Sequence, residues 1–309
     1  MICIGDDHWK VFDYTVSKKY KFKYRQMRRI LMNIQEDIRT QMMETVETVK
    51  RIKPMAGSIT NTVTINFVAN AQLAVGGSAA MVYLPDEGVA MAKAGSAMYI
   101  NVGTMFPLYE ESLPLTARTL YENKKPWVLD PAAIGIGEMR TNMLLRFKEY
   151  KPSIIRGNAS EIIALAGLWN LEGGTGKSSV RGVDSTDMVC DAEEAAAALA
   201  RWTSGAVAVS GEVDFITDGS LGVYSYGGSL FMEKITGAGC SLGGVMAVYS
   251  AVASPFIAAL TGAAIYNLAG ERAAKKAEGP GYFQMIFLDE LYKASAADIA
   301  GHEFTLKDR

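Results

Sequence analysis

The sequence predicts an α/β fold in which a central, mostly parallel sheet is flanked by helices on both faces and has a short antiparallel edge. Two observations support this fold class. Short apolar, strand-like runs alternate with helix-like segments up to residue 211, and alternating units of this kind build a parallel sheet covered by helices. After residue 211 the strand-like runs follow one another closely and are divided by Asp-Gly and Gly-Gly turn signals, which indicates antiparallel pairing.

The alternating part begins with a helix-like segment at 62–77 that ends on paired glycines, followed by a short apolar run at 78–84. The next helix is predicted at 85–95, where Pro85 suits the first turn. Further strands are predicted at 97–103, 126–130, 153–158 and 206–211. The helices between these strands are predicted at 111–124, 138–150, 160–169 and 191–202.

The antiparallel edge is predicted from three strand-like runs at 213–219, 223–228 and 230–235. Two long helices are expected after them, at about 239–252 and 256–277, and a last helix near 282–292. These segments complete the predicted sheet and its helical layers.

The chain is expected to fold as one domain over residues 31–309, because no linker rich in Pro or Gly and no internal repeat divides it. A basic extension precedes this domain at residues 1–30. Residues 10–29 carry eight Lys and Arg side chains against Asp13 alone. We expect the extension to be solvated and poorly ordered; an arm for nucleic acid or a membrane surface is the alternative.

Composition excludes several classes of function. The formal net charge of −2 gives no overall reason to expect a nucleic-acid partner. Three cysteines without CxxC spacing fit a reducing compartment, so a cytoplasmic location is expected, and two histidines near the termini make a Ser-His-Asp site hard to build. The uncharged stretch between Lys234 and Glu271 is interrupted by Pro255, and we interpret it as two buried helices rather than a membrane span.

Two glycine-rich segments compete as an anion-binding loop. The segment EGGTGKSS at 172–179 resembles a phosphate loop, but Leu171 stands where the GxxxxGK[ST] pattern requires its first glycine. We therefore predict a flexible connection there. The segment ITGAGC at 235–240 has the better context, because a long uncharged helix follows it. Gly237 and Gly239 would let successive N–H groups point at an anion from the helix N-terminus.

Polar residues and glycines also follow the predicted strands, where ligands bind in open α/β sheets. They are Asn61, the segment 101–104, Asp130, the segment 156–158, Ser210 and Gly211. Each of them alone is equally typical of an ordinary turn.

Seven collinear segments together carry a family resemblance: SITNTVTINFVANAQLAVGGSAAM, NVGT, VLDP, RGNASEI, SGEVDFITDG, ITGAGC and GPGYFQ. From about Pro54 to Tyr292 the chain resembles the hydroxyethylthiazole kinase family of the ribokinase-like superfamily. Most ribokinase-like kinases have Asp where this chain has Cys240. The resemblance implies a ribokinase-like fold and Mg²⁺-assisted transfer of a phosphoryl group from ATP to the hydroxyl of 4-methyl-5-(2-hydroxyethyl)thiazole, in thiamine salvage.

The resemblance also implies a role for each matching residue. Gly237, Ala238 and Gly239 would form the anion hole beside Cys240, the candidate base. The remaining roles are ATP binding by Arg156, Asn158, Ser210 and Gly211; Mg²⁺ binding by Asp130 and Glu161; and thiazole binding by Met81, Asn61, Val63, Gly237 and Gly239. A homotrimer is implied as well, with Asn61 and Val63 reaching the site from the neighbouring subunit.

The chain departs from the family pattern in ways that concern substrate choice. PMAGSITN lacks the His that often precedes this motif, DPAAIGIGEMR replaces a DPVGAGAT pattern, and NTV replaces NYV or NNV. Two alternatives therefore stay open: a kinase for another small alcohol such as hydroxymethylpyrimidine, and a catalytically weak ATP-binding or regulatory protein.

The position of Cys240 at a helix N-terminus is expected to lower its pKa.

Overall fold

The computed structural model describes residues 18–175 and 187–307, with side chains at residue 29 and from residue 31 onward. Within these residues a single sheet has the strand order β2-β1-β3-β4-β5-β6-β7-β8-β9. The strands are β1 (Met55–Ile59), β2 (Ser78–Met81), β3 (Ala97–Asn101), β4 (Trp127–Asp130), β5 (Ile154–Asn158), β6 (Ala206–Ser210), β7 (Asp214–Thr217), β8 (Gly222–Ser225) and β9 (Phe304–Leu306).

Helices connect and cover these strands. They are α1 (Lys18–Ile52), α2 (Ile65–Ala74), α3 (Pro85–Ala94), α4 (Tyr109–Glu122), α5 (Glu138–Phe147), α6 (Ala159–Leu168), α7 (Glu193–Thr203), α8 (Ala238–Ser250), α9 (Pro255–Ala274), α10 (Pro280–Lys293) and α11 (Ala296–Gly301). Among the residues described, no helix combines the length and apolar character needed to cross a bilayer.

The sheet has the predicted mixture of directions. Strands β1 to β6 pair in parallel, whereas β7, β8 and β9 pair antiparallel at one edge. Successive residues of a strand enter different cores: Tyr99 packs with α8 and α9, whereas Met98 and Ile100 pack with the helices on the opposite face. The predicted α/β fold class, with helices on both faces, is confirmed.

One predicted strand is wrong. Residues Leu230–Lys234 form a 3-10 helix instead of an edge strand. The Ser229 hydroxyl accepts a hydrogen bond from the Phe231 N–H at 3.2 Å, and the Phe231 ring packs on Phe283 of α10 at 5.4 Å. The free edge of β8 is instead covered by β9, from the far end of the chain.

Helix α1 and strand β1 precede the part of the chain in which elements were predicted. Ile38, Met42, Val46 and Val49 of α1 are buried at helical spacing against the domain. The expected boundary at residue 30 falls inside this helix, and the extension's residues 1–17 lie outside the described residues. Helix α1 thereby joins residues on both sides of that boundary in one element.

Candidate active site

The carboxyl ends of β3 to β6 bring polar side chains to one edge of the sheet, beside the start of α8. Asn101 and Asp130 are register partners at the ends of β3 and β4, and Asn158 and Ser210 are register partners at the ends of β5 and β6. Parallel strands end at the same edge, so residues that are 29 and 52 positions apart in sequence become neighbours. The sequence positions singled out as strand ends thus converge.

Arg156 connects these strand ends. Its Nη1 donates to Asp130 Oδ2 at 3.4 Å, and its Nε donates to Ser210 Oγ at 3.3 Å. Burial alone would lower the pKa of Arg156, but the Asp130 and Glu161 carboxylates outweigh burial and raise this pKa above its ordinary value. The guanidinium is therefore a permanent buried positive charge.

Two buried carboxylates share that single positive charge. Glu161 accepts hydrogen bonds from the Asn158 N–H at 2.9 Å and from the Ala133 N–H at 3.4 Å, and burial followed by repulsion from Asp130 raises its pKa to about 7. Asp130 is completely buried, and its Oδ1 has no hydrogen-bond partner among the described residues. With both carboxylates ionised, the cluster has a net negative charge.

The glycine-rich segment at the start of α8 lies directly against Arg156. Gly237 has φ +94°, a left-handed conformation that favours glycine. A Cβ atom at position 239 would lie 2.5 Å from Arg156 Nη2. The first N–H groups of a helix have no acceptor within the helix, so this loop offers N–H donors beside a fixed guanidinium.

Cys240 lies in the first turn of α8 and receives two amide groups. Asn61 Nδ2 is 3.2 Å and Asn101 Nδ2 is 3.4 Å from its Sγ. The expected low pKa is wrong, because burial and then the Asp130 carboxylate raise the pKa of Cys240 to about 11. The expectation that Asn61 serves a neighbouring subunit stays a prediction; within its own chain the amide faces Cys240.

Comparison with known proteins identifies the family of this chain. The family model described as "Hydroxyethylthiazole kinase family" matches residues 46–297. The chain belongs to the hydroxyethylthiazole kinase family. A hydroxyethylthiazole kinase of Bifidobacterium adolescentis is 49% identical over 276 residues, covering 86% of this chain and 94% of that protein.

Solved structures place this family member among the ribokinase-like folds. The hydroxyethylthiazole kinase protein from Pyrococcus horikoshii OT3 superimposes with a TM-score of 0.76 and 28% identity, covering 86% of this chain and 99% of that chain. A ribokinase-like superfamily protein from Enterococcus faecalis V583 has a TM-score of 0.53 at 14% identity, covering 78% and 87%. The second likeness concerns the fold alone.

The other predicted site residues of this hydroxyethylthiazole kinase family member lie in different local structures. Asn158 caps α6, because its side chain accepts from the Glu161 N–H at 2.9 Å. The Gly211 N–H donates to Asp214 Oδ1 at 3.1 Å. Met81 ends β2 and is half-buried, whereas Val63 is 73% exposed on the loop before α2. Of the segment EGGTGKSS, residues 176–179 lie outside the described residues, so the prediction of a flexible connection stays a prediction.

Tyr99 was missed by the sequence reasoning. It is fully buried in β3, and its hydroxyl donates to Asp130 Oδ2 at 2.9 Å. Burial, followed by the Asp130 charge, raises the pKa of Tyr99 well above its ordinary value. Alternation along the strand could have revealed this residue, because Tyr99 and Asn101 are two residues apart and share one face.

Proposed function

We propose that this chain transfers a phosphoryl group from ATP to the hydroxyl of 4-methyl-5-(2-hydroxyethyl)thiazole, a salvage step toward thiamine. The observation that carries this proposal is the contact between the glycine loop at 237–239 and Arg156, at the start of α8. Backbone N–H donors and a guanidinium beside one another suit the charge that develops on a transferred phosphoryl group. Membership of the hydroxyethylthiazole kinase family supports the choice of acceptor.

Different residues of the site are proposed to bind each of the two substrates. Arg156 and Ser210, with Asn158 and Gly211 at the same edge, are proposed to face ATP. Asn61, Met81, Val63 and the loop glycines are proposed to hold the thiazole, with its hydroxyl toward Cys240. A thiol with a pKa of about 11 is a poor base near neutral pH, so the positioning of both substrates carries most of the rate.

The two buried carboxylates fit a magnesium site. Asp130 and Glu161 provide hard oxygen ligands, and Asp130 Oδ1 is a buried acceptor without a partner among the described residues. The described part of the chain has no group of three or more His, Cys, Asp or Glu residues that could enclose a metal. Magnesium suits such a site, because it is usually held by one or two carboxylates together with water and phosphate. When bound, it would neutralise charge on the phosphates.

A homotrimer and a cytoplasmic location complete the proposal. Val63 exposes 73% of its surface on the loop before α2, and a neighbouring subunit is proposed to cover it. The three cysteines of the sequence have no CxxC spacing, which fits a reducing compartment and supports the cytoplasmic location. Mass determination in solution by light scattering tests the trimer, and Val63→Glu should weaken it.

The decisive experiment is a coupled ADP-release assay with Mg-ATP. Hydroxyethylthiazole, hydroxymethylpyrimidine and a reaction without acceptor are compared, and the product is identified by mass. Thiazole-dependent ADP and thiazole phosphate are expected. ADP release with the pyrimidine alone would transfer the proposal to the second acceptor. Binding of ATP without turnover on either alcohol would favour the weak ATP-binding protein, and thus contradict the kinase proposal.

A further inference from the structure

Tyr99 occupies the centre of a hydrogen-bonded chain between the two halves of the site. Its hydroxyl donates to Asp130 Oδ2 at 2.9 Å and accepts from Asn101 Nδ2 at 2.9 Å. The same Asn101 Nδ2 lies 3.4 Å from Cys240 Sγ. The Tyr99 phenol thus hydrogen-bonds Asp130, the proposed magnesium ligand. Through the Asn101 amide it is also connected to Cys240, which is proposed to lie beside the acceptor hydroxyl.

The direction of this chain is fixed by a backbone group. The Gly103 N–H can only donate, and it donates to Asn101 Oδ1 at 2.8 Å. The Asn101 amide must therefore turn its Nδ2 toward Tyr99 and Cys240. Because that amide nitrogen donates, the Tyr99 oxygen accepts, and the phenolic proton goes to Asp130, which can only accept when ionised. The arrangement leaves Oδ1 as the Asp130 oxygen that is free for a ligand.

A glycine on α8 makes room for the ring of Tyr99. A Cβ atom at position 243 would lie 2.3 Å from Tyr99 Cε2, so Gly243 is what admits the ring. The ring lies between the strand and the helix that starts at the anion loop. Tyr99 cannot shift toward α8, and its hydroxyl therefore presents a fixed donor to Asp130.

We propose that Tyr99 is a positioning residue that orients the Asp130 carboxylate, so that Oδ1 faces the magnesium-bound nucleotide. This inference rests on the proposed function, which gives Asp130 its part in holding magnesium. Outer hydrogen bonds of this kind fix the orientation of metal-binding carboxylates, and their loss typically costs about 10- to 100-fold in metal affinity or activity. Tyr99→Phe removes the donor and preserves the ring.

Calorimetric titration with the ATP analogue AMP-PCP tests the role, once with Mg²⁺ and once with EDTA. Tyr99→Phe is expected to weaken binding by about tenfold or more with Mg²⁺ and to leave binding in EDTA unchanged. The matched control is Tyr249→Phe, because Tyr249 is also fully buried and its hydroxyl has no hydrogen-bond partner among the described residues. This control should bind as the wild type does in both conditions.

Unaltered magnesium-dependent binding by Tyr99→Phe would overturn the positioning role, and so would an equal loss with Mg²⁺ and with EDTA, which would indicate a merely structural effect. Should Tyr99→Phe not fold, Asn101→Ala keeps the phenol but removes the bond that orients it, and the same two titrations decide. Absence of wild-type binding to Mg²⁺ and AMP-PCP would overturn the proposed function and the role of Tyr99 together, whereas wild-type binding leaves only the latter at stake.

Discussion

At the scale of single residues, the surroundings of Cys240 suit a carboxylate better than a thiol. Asn61 and Asn101 both direct amide N–H groups at its Sγ. A thiol is a weak hydrogen-bond acceptor, whereas a carboxylate would accept both amides strongly. The site therefore already contains the donors that an aspartate would need.

We expect Cys240→Asp to retain or increase kcat near neutral pH. The two amide donors favour an ionised aspartate at this position, whereas the Cys240 thiol with its pKa of about 11 is almost entirely protonated. If the thiolate acts as base, kcat of the wild type should still rise above about pH 8, and the substitution should flatten this rise. The measurement is kcat against pH for both proteins. A folded but inactive Cys240→Asp would contradict the equivalence of the two residues.

Gly239→Ala should reduce kcat/KM for ATP by about 100-fold or more, a loss typical of removing a donor to the developing charge. The new Cβ would lie 2.5 Å from Arg156 Nη2, so the guanidinium or the loop must move. Gly281→Ala on α10 is the matched control, because a Cβ there meets nothing within 4 Å. Steady-state kinetics on both variants, with thermal unfolding to verify folding, decides. Full activity of Gly239→Ala would contradict the assignment of the anion hole to this loop.

At the scale of elements, the loop between β4 and α5 contains a strained alanine. Ala133 has φ +61°, at the position where the DPVGAGAT pattern has glycine. The left-handed conformation costs a residue with a Cβ about 1 to 2 kcal/mol. The Ala133 N–H nevertheless donates to Glu161 Oε1, so the strained turn contributes to holding this carboxylate.

We expect Ala133→Gly to raise the free energy of unfolding by about 0.5 to 1 kcal/mol, because relief of strain exceeds the added entropy of the unfolded chain. Ala132→Gly is the matched control. Ala132 is equally buried, at 7% exposed, but lies outside the positive-φ region, so this change should destabilise by about 0.5 to 1 kcal/mol. Urea unfolding of both variants measures the difference. Destabilisation of equal size in both would show that the turn is not strained.

Elements were predictable from sequence where local pattern decides them. Strands β3 to β8 and helices α3 to α9 fell within or beside their predicted segments. Strand β9 was not predictable, because Phe304–Leu306 is too short to show alternation and forms only by pairing with β8. The 3-10 helix at Leu230–Lys234 was predicted as a strand from its apolar composition. Its conformation is decided instead by packing on α10, which the local sequence does not reveal.

The candidate site shows the same division. Asp130, Arg156 and Ser210 were predicted as site residues because each stands at or beside a strand end and matches a family motif, and the structure brings the three side chains into contact. The bond from Tyr99 to Asp130 was not predicted, because it depends on the register of two strands that are 31 residues apart along the chain. The pKa of Cys240 was expected to be low because the local sequence shows only its position at a helix N-terminus. The burial that raises this pKa is a property of the tertiary structure.

At the scale of the whole molecule, buried carboxylates link stability to pH. Burial is the main cause that raises the pKa of Glu161 from 4.5 to about 7 and that of Asp214 from 3.8 to about 6. In both cases the folded state holds its proton to a higher pH than the unfolded state does. The free energy of unfolding of the metal-free protein should therefore fall as pH rises from about 4 to about 7, and then level off.

Urea unfolding in EDTA at about pH 5, 6, 7 and 8 measures this fall, which we expect to be roughly 1 to 3 kcal/mol for each carboxyl. Glu161→Gln should remove most of the fall between about pH 6 and 7, because Asp214 is already half ionised at pH 6 and contributes the smaller part there. Asp298, whose pKa is lowered to about 2 by Ser295, gains its stabilisation below this range and does not mask the effect. Stability that increases with pH across the window would contradict the assignment.

The contact between Tyr99 and Gly243 makes the two positions interdependent in evolution. A tyrosine could arise at position 99 only after position 243 had become glycine, because any larger residue there would collide with the ring. Once the ring is present, it prevents the return of a side chain on α8. The order of these two substitutions is therefore constrained, and the glycine cannot be replaced while the ring remains. A descendant that restores an alanine at position 243 must first have given up the phenol.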